Sequence, residues 1–75
     1  MNVEHLVTMA NQIGDFFSSY PDPAHARQDI ANHIQRFWAR NMREQIVRHV
    51  MENEGAGLNI LVASAIKEHA HLLVQ

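Results

Sequence analysis

Two clusters of helix-breaking residues, Pro21-Asp22-Pro23 and Gly55-Ala56-Gly57, divide this chain. Around and between them, apolar residues recur every three or four positions, and no stretch sustains a period of two. That pattern confines the chain to short helices and excludes a sheet. The first helix is predicted over about Val3 to Ser19. At 100° per residue, Leu6, Met9, Ala10, Ile13, Phe16, Phe17 and Tyr20 share one face, and Glu4, Thr8, Asn11, Asp15 and Ser18 the other. Gly14 stands at the edge of the apolar face, where a missing side chain either permits close helix approach or merely weakens the helix by roughly 1 kcal/mol relative to Ala.

The second helix has a strong start, with Asp22 as N-cap and Pro23 at the first helical position. Its apolar face is Ala26, Ile30, Ile34 and Phe37, with Trp38 on the flank. Beyond Trp38 the phase changes: Met42, Ile46, Val47, Val50 and Met51 form a good face roughly half a turn away from the Ile30 face. Either the chain kinks between Ala39 and Asn41, so that both faces enter one core, or a straight helix buries opposite faces in its two halves. The kink is the expectation. A third helix then runs from about Asn41 to Glu54 and stops at Gly55. A fourth starts near Asn59 and continues to the C-terminus with Leu58, Leu61, Val62, Ala65, Ile66, Leu72 and Leu73 inward. The fold class expected is all-α, a small bundle of three to four short helices forming a single domain over residues 1–75.

A domain of 75 residues buries only roughly 60% of its unfolded surface and is marginal alone. There is no Cys, which fits a reducing cytoplasm and removes disulfides, thiol catalysis and iron–sulfur ligation. Glu4 and the early polar residues do not resemble a signal peptide, and no apolar run approaches the roughly 18 residues of a membrane span. The formal charge of −2 and pI near 6.3 argue against general nucleic-acid binding. Five of the six cationic residues, Arg27, Arg36, Arg40, Arg43 and Arg48, nevertheless lie in the middle third. A basic stripe on an acidic chain suits one acidic partner better than a polyanion.

Six histidines raise the question of a metal, but no two stand three or four apart, the spacing that places ligands on one helix face. His69 falls within the apolar face of the fourth helix. It reads as a partly buried imidazole, hydrogen-bonded at the end of the core, or else as a contact with a partner chain. Ser18, Ser19, Ser64, Thr8 and Tyr20 lack the neighbours nucleophilic catalysis needs, and Gly55-Ala56-Gly57 lacks the strand and wider fingerprint of a phosphate loop. No metal, cofactor or catalytic residue is therefore assigned. Arg36, Arg40 and Arg43 share one side of the second helix if it continues, as a solvated face or as a docking stripe. Arg suits the second role because its planar fork binds carboxylates and stacks on aromatic rings. Phe37 reads as core, and Trp38 as shared between core and interface.

The words Met9-Ala10-Asn11-Gln12-Ile13-Gly14 with Phe16-Phe17, Ile30-Ala31-Asn32-His33-Ile34 with Phe37-Trp38 and Met42-Arg43, and Gly55-Ala56-Gly57-Leu58 occur in order along nearly the whole chain. Together they resemble the delta subunit of NAD-dependent, molybdenum-containing formate dehydrogenases. Relatives usually carry Pro where Arg40 stands, and often Asp-Pro where this chain has Asn59-Ile60, so both helix starts are less sharply set here. The resemblance implies a non-catalytic accessory subunit of a cytoplasmic complex that oxidises formate to carbon dioxide and reduces NAD. Its partner would be the catalytic (alpha) subunit, and its task assembly or stability of the active enzyme. The molybdenum pterin cofactor, iron–sulfur clusters and FMN would sit on the other subunits, none of them on this chain. The docking surface expected comprises Arg36, Phe37, Trp38, Arg40, Met42 and Arg43, with Trp38 as anchor. The alternatives are a small helical DNA-binding protein and a self-associating adaptor; the isolated chain is expected to be of low stability or to self-associate through an exposed apolar face.

Overall fold

A computed structural model describes residues 2–75. The chain forms α1 (Val3–Phe17), α2 (Pro23–Phe37), α3 (Arg40–Asn53), α4 (Ile60–Glu68) and a single turn, α5 (Ala70–Leu73). No strand occurs among the described residues. The body measures 32 × 24 × 19 Å. Helix α4 packs along α2 and against α3 and α1, while α5 closes over α3 and α2.

The local chemistry of each helix end explains its position. The Asn2 side chain accepts from Glu4 N at 2.8 Å and starts α1. The Asp22 carboxylate accepts from Ala24 N at 3.0 Å, with Pro23 as the first helical residue. Helix α3 ends where Glu54 (φ 58°) and Gly55 (φ 70°) turn left-handed. Gly55 N then donates to the His49 carbonyl at 3.3 Å, which satisfies an otherwise orphaned end group.

The core contains Leu6, Ala10, Phe17, Ala26, Ile30, Ile34, Trp38, Ile46, Val47, Val50, Val62, Ala65, Ile66 and Leu73. Gly14 is buried in α1, and a β-carbon there would collide with the Cγ2 methyl of Val62. Close approach of α1 to α4 is therefore its role. Asn11 completes the same junction. Its Nδ2 donates to the Gly57 carbonyl at 3.0 Å, and its Oδ1 accepts from Asn59 N at 2.9 Å.

Several expectations on the faces and ends need correction. The α2–α3 junction is a full break, not a bend: Trp38 (φ −91°, ψ 141°) and Ala39 (φ −63°, ψ 152°) are extended. Arg36, Arg40 and Arg43 consequently do not line one continuous helix. Phe16, placed on the apolar face of α1, is 73% exposed. The cause is rotation of α1 towards α4, since the buried arc of Leu6, Ala10, Gly14 and Phe17 centres on the glycine side. Phe37 and Met51 also leave the core. The fourth helix is interrupted at His69 (φ −113°, ψ 23°), and the last turn packs separately.

Candidate functional site

The extended Trp38 decides the arrangement at the exit of α2. With its backbone turned out of the helical conformation, its indole fills the core and is 7% exposed. Phe37, the last helical residue, is left 66% exposed. Phe37, expected in the core, is a surface ring, and Trp38, expected to be shared between core and interface, is a core pin at the junction.

Phe37 does not stand alone. His33, one turn earlier, packs its imidazole on the Phe37 ring with centroids 4.8 Å apart. On its other side His33 meets the edge of Phe17 at 6.4 Å, and Phe17 meets Phe16 edge-on at 5.0 Å. Phe17 also contacts Tyr20 at 5.2 Å, and Tyr20 contacts His25 at 5.1 Å. A connected ledge of rings thus crosses the seam between α1 and α2, with solvent-exposed phenylalanines at both ends. The Arg36 guanidinium lies 5.6 Å from the Phe37 centroid, a cation–π geometry. Arg36 forms no ion pair among the described residues.

The other residues of the expected docking set are placed differently. Arg40 Nε contacts Glu44 at 3.3 Å, and its Nη2 donates to the Val74 carbonyl at 3.3 Å, which turns it towards the C-terminus. Met42 packs against the core from its edge. Arg43 is half-buried, and its Nε and Nη1 are shielded from solvent without a hydrogen-bond partner. Sequence periodicity missed Phe16 as a surface ring. The available signal was its place, with Met9, at the far edge of the apolar arc from Gly14.

The histidines have separate tasks. His49 Nε2 donates to the Ala56 carbonyl at 2.7 Å and ties α3 to the following loop. His25 faces Asp29 at 3.4 Å. His69 is largely buried as expected, but the expected hydrogen bond is not formed: Nε2 stands 3.3 Å from Glu68 without alignment for one. Glu68 instead accepts from Arg27 Nε at 2.8 Å, clamping α4 to α2. Among the described residues, no three His, Asp or Glu side chains converge as a metal-binding group. A depression of about 350 Å³ between α3 and α4 has Val50, Met51 and Ala63 with Glu54, Ser64 and Lys67 around it.

Partial burial first, and the Asp29 carboxylate second, push the Tyr20 phenol above its ordinary value. Both act against the phenolate, so Tyr20 is a neutral ring at physiological pH. The chemistry available to this surface is recognition: rings, one free guanidinium and neutral polar edges.

No helix among the described residues is long and apolar enough to cross a membrane. No curated protein and no solved structure matches the chain. The family model for the NADH-dependent formate dehydrogenase delta subunit FdsD matches residues 5–66. That span covers α1 to α3 and most of α4, including every word on which the sequence resemblance rests. The chain belongs to the FdsD family, the delta subunits of NADH-dependent formate dehydrogenase.

Proposed function

We propose that this chain is a non-catalytic subunit that binds the catalytic (alpha) subunit of a cytoplasmic formate dehydrogenase and supports assembly or stability of the active complex. The observation that carries this reading is the exposure of Phe16 and Phe37 at 73% and 66% in so small a domain. Large exposed apolar groups joined by a run of neighbouring rings mark surfaces that a partner covers. Family membership identifies the complex to which that partner belongs.

The absence of thiols supports a division of chemistry in which redox groups lie on other subunits. Iron–sulfur clusters need thiolates, and this chain has no Cys. The molybdenum pterin cofactor and FMN belong in this reading to the other subunits, and the chain acts on turnover only through the amount or stability of enzyme assembled. The docking region is the exit of α2, with Arg36 and Phe37 in contact, Trp38 holding the junction in shape, and Arg40, Met42 and Arg43 at its margin. A DNA-binding reading loses support because the break at Trp38 divides the arginine series between two helices.

The test is reconstitution. Cells expressing the other subunits with and without this chain are compared for assembled, cofactor-loaded enzyme and for the half-life of formate-dependent NAD reduction at elevated temperature. The expected result is less assembled or shorter-lived enzyme without the chain, with the catalytic subunit retained on a tagged version of it. Equal yield and lifetime, with no catalytic subunit retained, would overturn the proposal.

A further inference from the structure

The ring ledge has a chemical polarity that specifies what covers it. Phe16 is contributed by the end of α1, Phe17 and His33 lie between the helices, and Phe37 ends α2. The one charged group stacked on this run is Arg36. The other cations of the region are already engaged or shielded, Arg40 by Glu44 and Val74 and Arg43 by burial. The nearby acids are also engaged: Asp15 faces the Asn59 amide at 3.4 Å, and Asp29 faces His25. The ledge therefore presents apolar rings and, stacked on Phe37, a guanidinium without an ion-pair partner among the described residues, with the Asp15 and Asp29 carboxylates held to neighbouring side chains at its flanks.

We infer that the ledge from Phe16 to Phe37 is a docking surface extending across both α1 and α2, and that its occupant is an apolar segment of the catalytic subunit carrying a carboxylate opposite Arg36. This rests on the proposed binding of the catalytic subunit and adds the surface and the chemistry of the segment that meets it. A guanidinium over a ring keeps N–H groups free at its edge, and these match the two oxygens of a carboxylate. Water exclusion by the surrounding rings would strengthen the Coulombic attraction of the pair, against the cost of desolvating both charges. The Phe16 end has no such charge stacked on it, so the segment facing it is apolar. A partner placing a second cation over Arg36 would meet repulsion on the same surface.

The experiment uses the full chain and the purified, cofactor-loaded catalytic subunit. Phe16→Ala and Arg36→Glu are exposed-site changes, and circular dichroism verifies that each variant keeps its helicity. Each is expected to weaken binding by about tenfold or more, as for a central anchor residue. The Arg36→Glu loss should appear largely in the association rate and shrink as salt rises. A second variant detects the carboxylate directly. In an Arg36→Lys, Lys67→Arg chain, a carbodiimide activates partner carboxylates, and the ε-amine at position 36 condenses with one to give an amide mapped by mass spectrometry.

A cross-link at position 36 together with weakened binding of both surface variants supports the inference. If the wild-type chain binds tightly while folded Phe16→Ala and Arg36→Glu bind equally well, the ledge is not the docking surface, although the subunit reading stands. If both variants bind weakly but no cross-link forms at position 36, the carboxylate assignment is overturned. If the wild-type chain does not bind the catalytic subunit at all, the proposed function fails and this inference with it.

Discussion

Replacing Gly14 with Ala perturbs a close contact between α1 and α4, and its cost is set by two opposing effects. On an open helical surface the change would stabilise by roughly 0.5–1 kcal/mol, because Gly loses more backbone entropy on folding. Here the added methyl meets Cγ2 of Val62. Val62 is fully buried at 0% exposure and cannot swing into solvent, and its β-branched side chain has one strongly preferred rotamer in a helix. Overpacking of this kind costs roughly 1–3 kcal/mol. The net expectation is a loss of about 1–2 kcal/mol, a fall in Tm of roughly 5–10 °C for a domain of this size. Urea unfolding followed by Trp38 fluorescence measures it, since the only Trp lies in the core. Val62→Ala alone should also destabilise, by about 1.5–3 kcal/mol through lost methyl burial and the cavity left behind. In the Gly14→Ala, Val62→Ala chain the new methyl fills part of that cavity, so the double variant should be more stable than the sum of the single losses by about 1 kcal/mol. A Gly14→Ala chain that melts above the wild type, or single losses that simply add, would refute the tight α1–α4 contact.

Three further predictions concern other parts of the fold. Trp38→Ala should cost roughly 3–5 kcal/mol, most of the stability expected for so small a domain, so cooperative melting by circular dichroism should be lost; a variant with native helicity and a sharp transition would contradict the core role of Trp38. Asn11→Ala removes both hydrogen bonds to the loop before α4 and should destabilise by about 1–3 kcal/mol, with faster hydrogen exchange at the Asn59 amide as its local signature; unchanged exchange would contradict it. The Tyr20 phenol should titrate above 10.0 in the folded chain, for reasons of partial burial first and Asp29 second, and Asp29→Asn should lower it when followed by phenolate absorbance. Because the folded state holds the proton more tightly than the unfolded one, the associated stability is present below the ordinary value and is lost as pH rises through the folded value.

The parts of the fold legible from sequence are those governed by local chemistry. Asp22 and Pro23 start α2 because capping and fixed φ act within a few residues, and Gly55 stops α3 for the same reason. The change of apolar phase after Trp38 correctly marked a change of direction. Helical periodicity could not show that the break would be complete, because an extended residue no longer follows a 100° rotation. That is why Phe37 lies on the surface while Trp38 is wholly in the core. Phe16 was misplaced for a tertiary reason: Gly14 draws α1 onto α4 and rotates the opposite shoulder into solvent. The interruption at His69 has no breaker beside it, since residues 60–75 contain neither Gly nor Pro. Asn11 was read as polar surface because nothing local shows that its amide bridges to Gly57 and Asn59 far along the chain.

Hydroxyl-radical footprinting of the chain, free and bound to the catalytic subunit, tests the docking surface most directly, because exposed aromatic and sulfur-containing side chains report their own accessibility. Phe16 and Phe37, exposed at opposite ends of the ledge, should be oxidised readily in the free chain, as should Met51, which is 51% exposed at the depression between α3 and α4. On binding, Phe16 and Phe37 should both lose most of their reactivity while Met51 keeps its own. Unchanged oxidation of Phe16 and Phe37 in a saturated complex, or selective protection of Met51, would contradict docking through the α1–α2 ledge.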